Sequence, residues 1–374
     1  MNRAPKVALV HDWLNGMRGG EKVLEVFCDL FPDADIFTLI HQPGTLSEKI
    51  ARHRITSSFL MKMPLAQKKY RHYLPLMPAA IRSLDLSGYD FVVSTSHCVA
   101  KGCDPKGAPH LSCCFTPMRY IWDQYHHYFD GASLPVRAAM SLIRPWLQRW
   151  DVDSSRTVTR FIAISEFVKG RIQNYYGRDS DVIYPPADTD FYVPGTANEV
   201  DPFYLIVSAL VPYKRLDLAV EAFNRSGLKL KIIGKGPEEA RLKSIAKANV
   251  EFLGWRSDEE LKRHYQTCRA LVFPGTEDFG IVPIEAMACG RPVVAYADGA
   301  LRETVAENVT GVFFESADVE SILEAVSRAD ARRWDPSAIR NHALRFSRGR
   351  YVEQIRDYLL KNFSLPFDFP RDIS

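Results

Sequence analysis

Pro274-Gly-Thr-Glu277-Asp-Phe-Gly280-Ile-Val-Pro-Ile-Glu285-Ala-Met-Ala-Cys-Gly-Arg-Pro292 places two glutamates, Glu277 and Glu285, eight positions apart around a Phe-Gly step. The apolar run before it, Ala270 to Phe273, has the character of a buried strand, and Ile281 to Cys289 that of the helix opening from the loop. Glu277 then falls on the loop and Glu285 in the first turns of the helix. The helix start leaves backbone amides without intrahelical partners from about Gly280 to Val282, which suits a phosphate. Glu285 is an acceptor placed to hold sugar hydroxyls. This is a nucleotide-sugar site in outline.

The same rhythm extends in both directions. Towards the N-terminus, Val7 to Val10, Ile36 to Leu39, Phe91 to Ser94, Leu111 to Phe115, Phe161 to Ile164 and Val182 to Tyr184 are short apolar runs separated by amphipathic segments such as Glu21 to Phe31. Strands alternating with helices predict an α/β fold with a parallel sheet covered on both faces. Pro185-Pro186-Ala187-Asp188 and Pro194-Gly195 interrupt the pattern and read as a linker. From Phe203 a second set runs through Tyr204 to Ser208, Leu230 to Ile233, Val250 to Leu253, Ala270 to Phe273, Pro292 to Tyr296 and Gly311 to Phe314, a second doubly wound unit. The expected domains are 1–185, a linker 186–202, a second domain 203–345, and a C-terminal helix within 346–374. Periodicity leaves open whether that helix packs on the second domain or crosses back to the first.

Composition agrees with a two-domain enzyme. The chain has 374 residues, 46% apolar and 25% charged, enough for two buried cores and too balanced for disorder. A net charge of +3 gives no global argument for nucleic acid. The one strong asymmetry lies between Glu48 and Asp85, an interval without an acidic residue that carries Lys49, Arg52, Arg54, Lys62, Lys68, Lys69, Arg71 and Arg82 among Phe59, Leu60, Tyr70, Tyr73 and Leu74. The seven cysteines form no Cys-x-x-Cys pair, as expected of a reduced cytosolic protein. Met-Asn-Arg-Ala-Pro-Lys leads into a strand rather than a signal core, and no apolar run approaches the roughly 20 residues that span a bilayer. Any membrane contact is therefore expected to be peripheral. Asp33-Ala-Asp35, Asp151-Val-Asp153, Asp179-Ser-Asp181 and Asp188-Thr-Asp190 match an Asp-x-Asp pattern too short to assign a metal, and none is expected.

The first strand ends in Val10-His11-Asp12-Trp13-Leu14, and Arg18-Gly19-Gly20-Glu21 opens a helix where small residues permit close approach of a ligand. A plain strand-to-helix turn is the alternative. The Gly-x-Gly-x-x-Gly fingerprint is missing both here and at Gly234-Lys-Gly236-Pro237, which disfavours a nicotinamide or flavin enzyme, and there is no Walker loop. Lys214-Arg215 follows the first strand of the second unit, where an open α/β sheet binds its ligand and a diphosphate could be held.

In their order, Arg18-Gly19-Gly20-Glu21, Lys214-Arg215, Gly234-Lys235-Gly236-Pro237, Phe252-Leu253-Gly254-Trp255 and Glu277 to Glu285 resemble glycosyltransferase family 4, retaining enzymes of the GT-B fold. The resemblance covers essentially the whole chain. It implies two Rossmann-like domains facing each other across a cleft, with no cofactor beyond the nucleotide-sugar donor. His11-Asp12-Trp13-Leu14 and Thr116-Pro117-Met118-Arg119-Tyr120-Ile121-Trp122-Asp123 further resemble the bacterial branch that transfers mannose and related sugars in surface polysaccharide assembly. On that basis GDP-mannose is the first choice of donor and UDP-hexoses come next.

The resemblance implies a donor held mainly by the second domain. Glu285 would bond the ribose, and Lys214, Arg215 and the amides of Gly280, Ile281 and Val282, following Phe279, would hold the diphosphate. Glu277 would touch the hexose, Gly234, Gly236, Trp255 and Arg256 would frame the base, and Gly19 and Gly20 would close on the phosphates. The acceptor, lipid-linked or saccharide, would lie near His11, Asp12, His97, Arg119, Trp122 and Asp123. Lys214, Arg215, Glu277 and His97 are the expected catalytic residues, with the leaving diphosphate accepting the acceptor's proton so that no protein nucleophile is needed. Two positions depart from the family pattern: Ala209 stands where an arginine is usual, and Phe115 where the branch often has histidine, so that Arg215 and His97 become the candidates to compensate. A GT-B epimerase or phosphorylase, or a nucleotide-sugar-binding protein weakened in catalysis, shares the scaffold and stays open. The basic stretch from Lys49 to Arg82 is expected to dock on anionic lipid at the inner face of the plasma membrane, the alternative being a solvated face over the core.

Overall fold

The computed structural model describes residues 3–125, 129, 133–195 and 201–370. The chain divides into two compact units, one running up to Pro185 and resuming at Tyr351, the other spanning Pro186–Arg350.

Among the described residues the first unit is built on a seven-stranded sheet: β1 Val7–His11, β2 Asp35–Thr38, β3 Ile55–Ser57, β4 Phe91–Ser96, β5 His110–Cys114, β6 Arg160–Ala163 and β7 Asp181–Val182, in the order β3-β2-β1-β4-β5-β6-β7. Each pairing is parallel, with Val10 beside Ser94 and His11 beside Thr95 at the centre. Both faces are covered, so β1, β4 and β5 are buried along their whole length, the polar Ser94, Thr95, His110 and Ser112 included. On one face the helix Gly19–Leu30 inserts Val23, Leu24 and Phe27 against Leu9, Ile36 and Phe91. Completing that same core, the helix Arg348–Asn362 contributes Tyr351, Val352, Ile355 and Leu359. Their helical spacing forms one apolar stripe, and this is the core it meets. On the opposite face Ala8, Val10 and Val92 meet Met77, Ala80, Ile81, Met140 and Leu147.

The second unit has a six-stranded parallel sheet among the described residues: β8 Phe203–Val207, β9 Lys229–Ile233, β10 Val250–Gly254, β11 Leu271–Phe273, β12 Val293–Tyr296 and β13 Gly311–Phe314, ordered β10-β9-β8-β11-β12-β13. Tyr204, Ile206, Leu230, Val272 and Val294 form its core with Ala219, Val220 and Phe223 of the helix Leu216–Ser226 and Ile322 and Val326 of the helix Val319–Ala331. The segment read as a linker, 186–202, departs from that reading over its first residues. Ala187 donates its amide to Phe346 O at 2.8 Å, and the Arg340 guanidinium donates to Thr189 O and Tyr192 O at 3.2 and 3.0 Å. These backbone groups are satisfied by the second unit, so the segment is part of it.

The seven cysteines are free thiols and all are buried. Among the described residues no helix is long and apolar enough to cross a membrane.

Ile355 is fully buried in the first unit's core. Ile355→Ala should destabilise the protein by about 2–5 kcal/mol, seen as a lower urea midpoint; an unchanged midpoint would mean that the C-terminal helix does not complete that core.

Candidate functional site

In the second unit the strand order reverses between β8 and β11, and the loops leaving these two strands run to opposite sides of the sheet, opening a crevice between them. The candidate residues collect there. The β8 loop carries Lys214, buried, whose ammonium is paired with the Glu277 carboxylate of the β11 loop and lies 5.0 and 5.7 Å from the ring centres of Tyr213 and Phe273. Two aromatic faces and a carboxylate thus hold a cation that is largely withdrawn from water. Arg215 follows in a left-handed conformation (φ 51°) just ahead of the helix Leu216–Ser226, half exposed and 3.3 Å from Asp217.

Backbone packs on backbone around this pair. A Cβ on Gly234 would lie 1.9 Å from Ser208 O, one on Gly236 2.2 Å from Leu210 O, and one on Gly275 2.9 Å from Lys214 Cα. Gly299 is equally constrained, its Cβ position 2.4 Å from Glu277 O. The Ala300 amide donates to that same Glu277 carbonyl at 2.9 Å, and Thr276 donates to Asp298 at 2.6 Å, so the loop bearing Glu277 is fixed from behind. Gly280 caps the helix Ile281–Ala288 with φ 85°, and its Cβ position would meet Leu301 at 2.8 Å. Ile281 and Val282 are half-buried in the first turn. Phe279 is buried edge-on to Phe346.

Glu285 is largely buried one turn further on and accepts a hydrogen bond from the Tyr265 hydroxyl at 3.0 Å. Burial and the Glu285 charge push the Tyr265 hydroxyl well above its usual pKa, so it remains a donor to that carboxylate. Tyr265 is a positioning residue that no local sequence pattern announced. Trp255 is mostly exposed beyond β10, and Arg256 lies beside it, donating to the Trp255 carbonyl at 3.1 Å.

The first unit's sheet reverses between β1 and β4, and there too the adjoining loops are linked. Asp12, wholly buried, accepts hydrogen bonds from the amides of His97, Cys98, Val99 and Ala100 at 2.6, 2.9, 2.7 and 2.7 Å. Burial alone would raise its pKa, but the charge and hydrogen bonds of His97 outweigh that and lower it to about 2. Its oxygens shape the turn after β4. His97 itself is partly exposed, with Nδ1 3.1 Å from Asp12, its ring edge-on to Trp13 at 4.5 Å and stacked on Phe115 at 6.4 Å.

His11 is buried, with Nδ1 2.6 Å from Thr95 Oγ1 and Nε2 3.7 Å from Glu21. Burial raises the Glu21 pKa, and the hydrogen bond and charge of His11 more than reverse this, leaving it lowered. Gly20 needs its missing side chain for packing, since a Cβ would lie 3.0 Å from Phe115 and 3.4 Å from His11; Gly19 faces open space. Of the remaining acceptor candidates, Trp122 donates its indole N–H to Asp151 at 2.8 Å and stacks on Tyr175 at 4.5 Å. Asp123 pairs with Arg171 at 2.8 Å, and Arg119 is half-buried in the turn before it. Asp151 also takes the Lys101 ammonium at 2.7 Å and the Tyr176 hydroxyl at 2.9 Å. Lys101, buried and passed over by the sequence pattern, is thus the cation that braces the carboxylate holding Trp122 in place. One carboxylate of each other Asp-x-Asp pair is engaged as well: Asp35 with Arg54, Asp181 with Tyr358, and Asp188 with the Phe191 amide.

Residues 19–191 match the family model Glycosyltransferase Family 4, and residues 191–342 match Glycosyl transferases group 1. Among curated relatives, O-antigen chain mannosyltransferase C of Escherichia coli is 31% identical over 161 residues, 41% of this chain and 42% of that protein. GDP-mannose-dependent alpha-(1-6)-phosphatidylinositol monomannoside mannosyltransferase of Mycobacterium tuberculosis is 28% identical over 239 residues, 56% of this chain and 60% of that protein. The chain spans about half the length of the curated relatives it matches. Among solved structures, Anabaena HepE in complex with UDP-glucose aligns over 95% of this chain and 99% of that one, at 18% identity with a TM-score of 0.71. The likeness in fold therefore extends across both units.

Asp12 supplies a pH test. Its folded pKa lies below the unfolded value near 4, so its contribution to stability is complete above that value and is lost as pH falls through about 2. Asp12→Ala, which leaves buried amides without an acceptor, should cost about 3–5 kcal/mol at neutral pH and flatten the loss of stability between pH 4 and 2. Urea unfolding at stepped pH would refute the assignment if both proteins showed the same acid slope.

Proposed function

We propose that this chain, which belongs with the GT-B glycosyltransferases joining a Family 4 domain to a group 1 domain, is a retaining hexosyltransferase that uses a nucleotide sugar, with GDP-mannose as first choice. The observation that carries the reading is the convergence at the β8/β11 crevice of the Lys214–Glu277 pair with its ammonium largely withdrawn from water, the amide-bearing start of the helix at Gly280, and Glu285 one turn beyond. Mannose is favoured by the two mannosyltransferases among the relatives. The acceptor is lipid-linked or saccharide and belongs to the first unit, the product serving bacterial polysaccharide assembly.

Charge develops on the leaving diphosphate as the glycosidic bond lengthens. Lys214 already sits beside a carboxylate in a water-poor crevice, so an arriving diphosphate exchanges one anionic partner for another without drawing the ammonium out of water. Arg215 and the amides of Gly280, Ile281 and Val282 add donors on the same side. Glu277, relieved of Lys214, turns to the hexose hydroxyls. Glu285, steadied by the Tyr265 hydroxyl, bonds the ribose. The hexose passes through an oxocarbenium-like state while the diphosphate takes the acceptor's proton on the same face, so neither a protein nucleophile nor a metal enters the scheme. His97 orients the acceptor from the turn that Asp12 holds. The proposal includes peripheral contact with the inner face of the plasma membrane, supported by exposed Lys62, Lys68, Lys69 and Arg71 on short helical turns between Phe59 and Leu76.

Lys214→Ala should lower turnover by on the order of a hundredfold or more, and near-normal turnover would remove Lys214 from the mechanism. A thermal-shift panel of GDP, UDP, ADP and their hexose conjugates tests the donor, since a ligand at a hundred times its Kd adds about 2.7 kcal/mol of stability. A selective shift with GDP-mannose is expected. A shift confined to UDP conjugates would replace the donor, and none at all would overturn the site.

A further inference from the structure

We infer that the first unit holds a pocket for the hydrocarbon tail of an amphiphilic acceptor whose head is anionic. The inference rests on the reading that the acceptor belongs to this unit. A cavity of about 520 Å3 lies between the segment around Arg71–Met77 and the long helix Leu134–Ser154. Its walls are Trp13, Leu74, Met77, Cys98, Met140 and Ile143. Among the described residues no Asp, Glu, Asn, Gln, Ser or Thr lines it. The polar side chains of its lining are Arg71, His72 and Tyr120 beside mostly apolar ones, too few to replace the water that a saccharide's hydroxyls would lose here. A flexible alkyl or isoprenoid chain gains from the same walls, and the volume falls in the range of roughly 300–1,000 Å3 usual for small-molecule sites.

The cavity adjoins the acceptor candidates. Trp13, one of its walls, is the ring against which His97 packs at 4.5 Å, and Cys98, another wall, donates its amide to Asp12. A chain seated in the cavity therefore brings the head attached to it towards the His97 turn. The charge around the opening selects the sign of that head. Arg71 and His72 stand on the cavity's edge, and the two elements that enclose it carry no acidic residue between Glu48 and Asp85 or between Ser133 and Trp150, where the charged residues are Arg137, Arg144 and Arg149. Leu134, Leu142 and Trp146 are exposed at helical spacing on the outer side of the same helix, and Leu65 and Leu76 on the facing segment. Cations among exposed apolar side chains form the complement of a lipid phosphate at the head of a tail.

Straight-chain alkyl phosphates of increasing length, each below the concentration at which it forms micelles, test this on the full chain by calorimetric titration. Affinity should rise about fourfold per methylene until the cavity is filled and then level off. A bromine at the chain end should quench Trp13, and Trp13→Phe should remove that quenching. Ala139→Trp, at an exposed position that lines the cavity, should abolish the dependence on chain length while the weak binding of methyl phosphate persists. Affinity independent of chain length, an unaltered rise in Ala139→Trp, binding only to assembled vesicles, or self-association of the protein without quenching would each overturn the inference. These measurements need no turnover: a nucleotide-sugar thermal shift that persists while the chain-length series is flat defeats the tail pocket alone, and loss of the thermal shift defeats the glycosyltransferase reading.

Discussion

A carboxylate reaching across the point where each sheet reverses its winding is the constraint on which both halves of this chain depend. Doubly wound sheets must part their loops at that point, and the crevice so formed lies beyond the paired strand ends, where no ladder holds its two sides in register. In the first unit Asp12, on the loop after β1, grips four successive amides after β4. In the second unit Glu277, on the loop after β11, grips the ammonium of Lys214 after β8. The two contacts differ in kind. Asp12 is wholly buried and bonded to fixed backbone donors, which sets a shape, whereas Glu277 is a quarter exposed and bonded to a side chain whose cation can change partners.

This difference explains how each unit is furnished around its crevice. In the second unit the loops touch through backbone, with Gly234 on Ser208, Gly236 on Leu210, Gly275 on Lys214 and Gly299 on Glu277. Side chains are excluded from these contacts, so peptide groups pack directly on one another behind the crevice. Donors fixed in advance by packing need no rearrangement when charge appears near them, which is the condition under which electrostatic stabilisation is largest. In the first unit polar groups instead satisfy one another: His11 with Thr95 and Glu21, Lys101 with Asp151, Trp122 with that same carboxylate. Such networks are worth keeping only when complete, and this one holds the aromatic and histidine side chains in fixed orientations.

What the sequence revealed about this molecule was local. Apolar runs of four or five residues marked the strands, and the Phe-Gly step marked the helix start that carries Glu285, because these depend on neighbours in the chain. The partners of Asp12 lie 85 to 88 positions away and those of Trp122 and Tyr176 meet on Asp151 from 29 and 25 positions, so nothing near Asp12 or Trp122 distinguishes a ligand contact from a brace. The proline-rich stretch after Pro185 looked like a linker for the same reason: the carbonyls it offers are answered by Arg340, 148 and 151 residues later. Tyr265 was invisible as a support for Glu285 because its burial belongs to the tertiary fold.

Phe115 shows how a departure from a family pattern can be a rearrangement. Its ring lies where a Gly20 side chain would stand, and its other neighbour is the ring of His97. A histidine at position 115 would bring a polar group into a space bounded by Gly20, His11 and the core packing of the first unit. With phenylalanine there, the imidazole nearest to it is that of His97 on the neighbouring β4 loop. Trp13 meets that imidazole edge-on, Phe115 stacks on it, and Asp12 holds Nδ1, so three separate contacts fix the plane and roll of one ring. Because Nδ1 is engaged by the carboxylate, Nε2 is left as the nitrogen directed away from it. Ala209 differs in this respect: Arg215 is half exposed and tethered to Asp217, so the second unit relies on Lys214 as its one buried cation at the crevice among the described residues.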